Sequence, residues 1–329
     1  MSKRAVTNIL VVVNIFLIAI LVLILWLPGR NKKEVAEARV FFTRDIASLP
    51  YWVAQEKGYF DSVQVKVKGD EVPRIGDEID MVGRGTMILG LGATWDALIG
   101  KATTNLPKYR VIYSVFGTPD APQTALVARA DKEITSINDL TGKRLGYFQD
   151  TRGNLTIPAL LAEAGVDTAG IKMTALSTSE IPTAFIDNRC EAMVVYEPFR
   201  SLFIADTDNV VLLEDGFLEK HLVSDLPVAL GFTSIANFKL RNKTTVKLIK
   251  AMNLAVDFIN SNPDEAEAIA LANLGLPEGT HLKLPKFSKY NEQDPQVITA
   301  YLNRLKSLSV ILFEVPDLKD IYLRSSDVK

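Results

Sequence analysis

The pattern of apolar and polar positions divides the chain at about residue 30. Residues 9–27 are apolar throughout except for Asn14, and no charge falls between Arg4 and Arg30. At about 1.5 Å of rise per residue, such a run in helical form matches the roughly 30 Å hydrocarbon layer of a bilayer. Trp26 stands where the interface would lie. The run closes in Trp26-Leu27-Pro28-Gly29-Arg30, with no small-x-small cleavage pattern and no cysteine behind it. It therefore predicts an uncleaved signal anchor, not a cleaved leader or a lipoprotein. Basic residues flank it on both sides, but the short tail 1–8 favours a cytoplasmic N-terminus and export of the remainder. Residues 28–37 read as a charged linker.

Beyond the linker, short apolar runs alternate with amphipathic stretches, the mark of an α/β fold. Strands are expected at Arg39–Thr43, Val63–Val67, Ile88–Ala93, Arg110–Phe116 and Thr124–Arg129. A short helix at Pro50–Lys57 has Ser48 as a cap and Gly58 behind it; another begins near Trp95. A second βα series follows, with strands at Arg144–Phe148, Lys172–Ala175, Ala192–Tyr196 and Val210–Leu213. Its helices are expected at Thr156–Ala164 and Glu180–Asp187. Leu226–Ile235 is an apolar returning strand, and helices near 242–260, 263–274 and 294–308 finish the chain. No fixed-period repeat or low-complexity tract is visible.

Composition narrows the function. The chain has 329 residues, 37 basic and 39 acidic. A net charge so near zero, with no basic stripe, gives nothing to gather nucleic acid. The exported part suits two lobes. A single cysteine, Cys190, forbids an internal disulfide. With His221 and His281 far apart in sequence, a zinc site is not expected, nor is any cofactor.

Four segments resemble a known family. Pro50-Tyr51-Trp52-Val53-Ala54-Gln55-Glu56-Lys57-Gly58-Tyr59-Phe60 is similar to the opening of the nitrate/sulfonate/taurine-type binding proteins of ABC importers. Ser136-Ile137-Asn138-Asp139-Leu140-Thr141-Gly142-Lys143 resembles their entry to the second lobe. Ala184 to Phe199, ending Val195-Tyr196-Glu197-Pro198-Phe199, resembles their "A-L-x-x-G-x-V-D-A-x-x-V-W-E-P-F". Asn262-Pro263-Asp264-Glu265-Ala266 resembles their late-helix start. Arg189-Cys190-Glu191 departs from that pattern, as do residues 69–87, Arg74, Asp80 and Arg84 among them. The resemblance implies a two-lobed, type II periplasmic-binding-protein-like α/β fold, here preceded by one N-terminal transmembrane helix. Lobe 1 is then 38–129 with 228–329, and lobe 2 is 130–227.

In open α/β sheets, ligands bind beyond the carboxyl ends of strands where strand order reverses. Four such ends carry suitable residues. Arg44, Asp45 and Ser48 follow the first strand: Arg44 suits an anion and Asp45 an amine. Thr94 and Trp95 follow the third, one capping a helix and the other free to stack. Gln149-Asp150-Thr151-Arg152-Gly153-Asn154 leads into a helix, whose amino end is a natural anion site; Thr151, Arg152 and Asn154 are its candidates. Glu197, held extended by Pro198, projects from the last strand and in the resembling family borders the cleft.

The expectation is a membrane-tethered extracytoplasmic protein that captures a small polar molecule for an ABC permease: a sulfonate, nitrate, carboxylate or pyrimidine-like compound. Two alternatives stay open. One is a ligand-sensing or scaffold domain for a membrane partner. The other is an enzyme of the thiamine-pyrimidine type, although those enzymes use a cysteine-rich motif and histidines that this chain lacks. No phosphate loop, Gly-x-Ser-x-Gly or His-Glu-x-x-His occurs.

Overall fold

The computed structural model describes residues 14–20, 22, 36–72, 76–102, 108–149, 151–324 and 326–328. The chain forms two compact units, Met1–Ala36 and Glu37–Lys329. In the first, residues 14–20 and 22 are helical and exposed. The rest of the expected span 9–27 lies outside the described residues. Among the described residues no helix is long and apolar enough to cross a membrane.

The second unit carries two sheets. The first has six strands: β1 (Ala36–Phe42), β2 (Val65–Glu71), β3 (Leu89–Ala93), β4 (Tyr109–Gly117), β10 (Leu226–Ser234) and β11 (Lys286–Lys289), in the order β11-β4-β10-β3-β1-β2. The second has five: β5 (Thr124–Arg129), β6 (Arg144–Phe148), β7 (Lys172–Leu176), β8 (Ala192–Tyr196) and β9 (Val210–Asp215), in the order β7-β6-β8-β5-β9. β1 runs parallel to β3, and β6 runs parallel to both β7 and β8. Each sheet therefore has a reversal of strand order, beside β1 in one and beside β6 in the other. Every residue of β3 and β4 is buried, so neither strand shows the apolar–polar alternation of a half-buried strand.

The helices are α1 (Leu49–Glu56), α2 (Tyr59–Ser62), α3 (Asp77–Gly83), α4 (Trp95–Ala102), α5 (Gly153–Glu163), α6 (Phe199–Ala205), α7 (Phe217–His221), α8 (Ile235–Ser261), α9 (Pro263–Leu274) and α10 (Pro295–Ser307). Proline in the first turn and Gly275 at φ +68° bound α9, as the sequence signals require.

Two expectations are corrected. Thr124–Arg129 was placed in lobe 1, but β5 pairs antiparallel with β8 and β9 in the second sheet. The chain leaves the first sheet after Gly117, through Thr118-Pro119-Asp120-Ala121-Pro122, whose Thr118 and Ala121 exchange backbone hydrogen bonds. An apolar strand carries no mark of which sheet it joins; the two prolines do mark the crossing. The helix expected at Glu180–Asp187 is only a 3-10 turn, Ile181–Thr183. The Glu180 carboxylate turns back to the Ser177 amide at 2.8 Å and its hydroxyl at 2.7 Å, and Asn188 takes a left-handed φ of 53°.

Candidate functional site

A cavity of about 400 Å³ lies where the carboxyl ends of β1 and β3 face those of β6 and β8. Both reversals of strand order open into it.

The first lobe supplies its charged wall. β1 and β3 approach closely here because Gly92 has φ +110° and no side chain; a Cβ would come within 2.0 Å of the Thr43 hydroxyl. Beyond Thr43, the Asp45 carboxylate accepts the Ala47 amide at 2.9 Å and starts a 3-10 turn, Ile46–Ser48. Burial pushes the Asp45 carboxyl up, while the Thr43 hydroxyl and the Ala47 amide pull it back. Arg44 lines the cavity too, but its guanidinium grips Glu71 at 2.8 Å. Thr94 lines the cavity ahead of α4.

Two expected contacts on this wall turn inward. Ser48 is fully buried and donates to the Thr43 carbonyl at 2.6 Å. Trp95 is fully buried against Tyr322, with ring centroids 5.7 Å apart. Both side chains are therefore taken up by packing and do not reach the cavity.

The second lobe supplies rings and hydroxyls. Tyr147 and Phe148 end β6, and Tyr196 ends β8. The Thr151 hydroxyl donates to the Phe148 carbonyl at 2.7 Å and accepts the Gly153 amide at 3.3 Å. Arg152 reaches across the cleft to Asp96 at 3.1 Å and to the Val310 carbonyl at 3.4 Å. Asn154, expected as a contact, is exposed on α5 and does not line the cavity. Asp150 lies outside the described residues.

Glu197 lines the cavity but does not project into it as expected. Its carboxylate folds back over the start of α6, accepting Arg200 at 2.9 Å, the Ser201 hydroxyl at 2.8 Å and the Ser201 amide at 3.1 Å. Arg200 also holds Asp215 at 2.7 Å. Burial pushes the Glu197 carboxyl up; Ser201 and Arg200 counter it.

Sequence reading missed the crossing itself. Gln123 is 1% exposed yet lines the cavity. Its side-chain amide donates to the carbonyls of Ala121, Pro122 and Lys283, at 3.1, 3.2 and 2.8 Å. Its oxygen, Oε1, has no hydrogen-bond partner among the described residues. The Gln123 backbone amide donates to Glu219 at 2.7 Å, and the Thr124 hydroxyl bonds the other carboxylate oxygen. Gly117 leaves room for that carboxylate: a Cβ would stand 2.3 Å from it. The only sequence signal was a polar residue between Pro122 and an apolar strand.

The remaining reactive groups lie elsewhere. Burial pushes the Cys190 thiol up to about 12, which removes it as a nucleophile at neutral pH. His221 pairs with Glu214 at 2.8 Å and His281 stands near Glu267 at 3.5 Å. Among the described residues, no cysteine, histidine or lysine lines the cavity, and no acidic, Cys or His cluster is placed to hold a metal ion.

The NMT1/THI5-like family profile matches residues 45–266, more than half of the chain. A 4-amino-5-hydroxymethyl-2-methylpyrimidine phosphate synthase of Legionella pneumophila is 31% identical over 123 residues, 37% of each chain. A Brucella abortus protein, provisionally named a binding protein, is 23% identical over 254 residues, 73% of this chain and 72% of that one. Among solved structures, the alkanesulfonate-binding protein of Xanthomonas axonopodis superposes with a TM-score of 0.64 at 17% identity, covering 84% of this chain and 95% of that one. The nitrate-binding protein of Synechocystis gives 0.63 at 13% identity, covering 88% and 84%. These likenesses establish the two-lobed periplasmic-binding-protein fold.

Proposed function

We propose that this chain, which belongs to the NMT1/THI5-like family, is an extracytoplasmic solute-binding protein that closes two lobes over a small polar molecule and presents it to an ABC permease. One observation carries the reading: a 400 Å³ cavity at the facing strand ends of two sheets, where both chain reversals meet. That volume falls in the range of organic-ligand sites, roughly 300–1,000 Å³. The expected sulfonate, nitrate, carboxylate or pyrimidine-like ligands all belong in the panel. The apolar run at 9–27 supports a single-pass tether that keeps the soluble part on the outer face.

An enzymatic reading is favoured by the partial matches to pyrimidine phosphate synthases. The cavity wall speaks against it, because its described side chains offer carboxylates, hydroxyls and rings but no activated nucleophile beside a base. Calorimetric titration of the full chain in detergent, with sulfonates, nitrate, carboxylates, amines and pyrimidines, tests the proposal. Saturable binding of one class, recovered chemically unchanged, is expected. A ligand recovered altered would sink the binding-protein reading. N-terminal sequencing of the membrane fraction tests the tether, which a sequence beginning near residue 30 would refute.

A further inference from the structure

The chemical class of the ligand follows from which polar groups of the cavity are left over once the protein has bonded its own. Among the described residues, six acidic or basic side chains line it: Arg44, Asp45, Glu71, Asp96, Arg152 and Glu197. Both guanidiniums already face carboxylates, Arg44 with Glu71 and Arg152 with Asp96. Glu197 is neutralised by Arg200 from behind. Asp45 alone among these is given no cation by the described residues, and it lines the cavity half-buried.

The second leftover group is the Gln123 oxygen. Three backbone carbonyls accept from the Gln123 nitrogen. Turning the amide over would set oxygen against those carbonyls, so the acceptor stays pointed away from them. A buried acceptor with no donor is costly unless something supplies one.

The expected anion site, by contrast, is largely taken up. At the amino end of α5 the Gly153 amide goes to the Thr151 hydroxyl, and the Leu155 and Thr156 amides go to the Arg152 carbonyl. The walls between these polar points are apolar, with Phe148, Ile157, Phe199, Leu226 and Val228. An inorganic anion would leave that surface unfilled.

We infer that the cleft takes an organic cation, an amine or amidine whose N–H groups meet the Asp45 carboxylate and the Gln123 oxygen while its hydrocarbon or aromatic body lies against the second-lobe rings. This rests on the solute-binding reading and specifies its ligand. It places Asp45 where a charge-assisted bond is strongest, in a water-poor cleft.

The test is a matched series of one ring with different heads: benzylamine, benzamidine, benzyl alcohol, benzoate and benzenesulfonate, with nitrate added. Each is titrated calorimetrically into the full chain. Benzylamine or benzamidine should bind at least tenfold more tightly than benzyl alcohol. Asp45→Asn should weaken the cation by about ten- to hundredfold and leave the alcohol unchanged. Asparagine keeps an oxygen for the Ala47 amide, and an unchanged melting temperature establishes that the fold survives. Gln123→Leu, which removes the acceptor together with the amide that bonds the Ala121, Pro122 and Lys283 carbonyls, should weaken the cation by a smaller factor and leave the alcohol unchanged. If benzoate, benzenesulfonate or nitrate binds while the cations do not, the inference is wrong and the solute-binding reading stands. If Asp45→Asn binds the cation as well as the parent does, the inference is equally wrong. If no member of the series and no member of the wider panel binds, both fall.

Discussion

The two lobes each bring a carboxylate to the floor of the cleft and treat it in opposite ways. Glu197, from the second lobe, is 6% exposed and sits among Arg200, Ser201 and the first turn of α6. Asp45, from the first, caps a short turn and otherwise faces the cavity. One carboxylate holds its own lobe together; the other is left for whatever enters. The contrast extends behind the first wall. Glu78 on α3 is fully buried, and its Oε1 has no partner among the described residues. Glu219 in the second lobe is also buried without an ion pair, but the Gln123 backbone amide and the Thr124 hydroxyl satisfy its two oxygens, as nothing among the described residues does for Glu78 Oε1.

The sharpest way to break this contrast is to remove the cation from the second lobe. Arg200→Met should destabilise the protein by about 3–5 kcal/mol, because Glu197 is then buried and unpaired. Urea unfolding measures it. The companion variant Glu197→Gln should lower stability yet leave ligand affinity within about threefold. A tenfold loss of affinity there would mean that Glu197 touches the ligand after all and that the two carboxylates are not different in kind.

That outcome bears on what could be read in the chain. The limits of elements were legible: β6, β8 and α9 have the expected bounds, because glycine, proline and the ends of apolar runs mark them locally. The direction of side chains at those ends was not. Glu197 was expected to project, yet a partner three residues on, Arg200, decides its rotamer. Gln123 was invisible because its amide is oriented by Lys283, 160 residues away. β5 was assigned to the wrong sheet for the same reason: its partners, β8 and β9, are remote in sequence. Local signals place elements; which polar atoms remain free is settled by side-chain partners, some three residues away as at Glu197 and some far off as at Gln123.

Glu78 sharpens the comparison through pH. Burial pushes its carboxyl from the ordinary 4.5 up to about 7, with Asp45 and Asp77 adding to the shift and the Gly76 amide opposing it. Because the folded value is the higher one, the folded state binds more protons between those values, and stability falls as pH rises from about 4.5 to 7. At 1.36 kcal/mol per pH unit, the penalty above pH 7 approaches about 3 kcal/mol. Glu78→Gln should therefore raise stability by about that amount at pH 8 and change it little at pH 4.5. An equal effect at both values would show that the carboxyl is solvated or paired in solution.

The smallest expected effect joins the two regions. Arg152 of the second lobe reaches Asp96 of the first, and Arg304 on α10 of the first lobe pairs with Glu163 on α5 of the second. Both pairs join one lobe to the other, so a hinge opening of the cleft would break them. Arg152 is 47% exposed, so its pair contributes about 0.2–1 kcal/mol, as exposed pairs generally do. Only the closed state gains it, so its loss shifts closure by the same amount. Asp96→Asn should weaken ligand binding by about two- to fivefold. Salt should weaken the parent more than the variant, because added ions screen the pair in one protein and find nothing to screen in the other. Exchanging the charges, with Asp96→Arg and Arg152→Asp together, should restore affinity that either change alone removes. If both single variants bind as the parent does at low salt, the bridge contributes nothing to closure, and the apolar faces around the cavity close the lobes unaided.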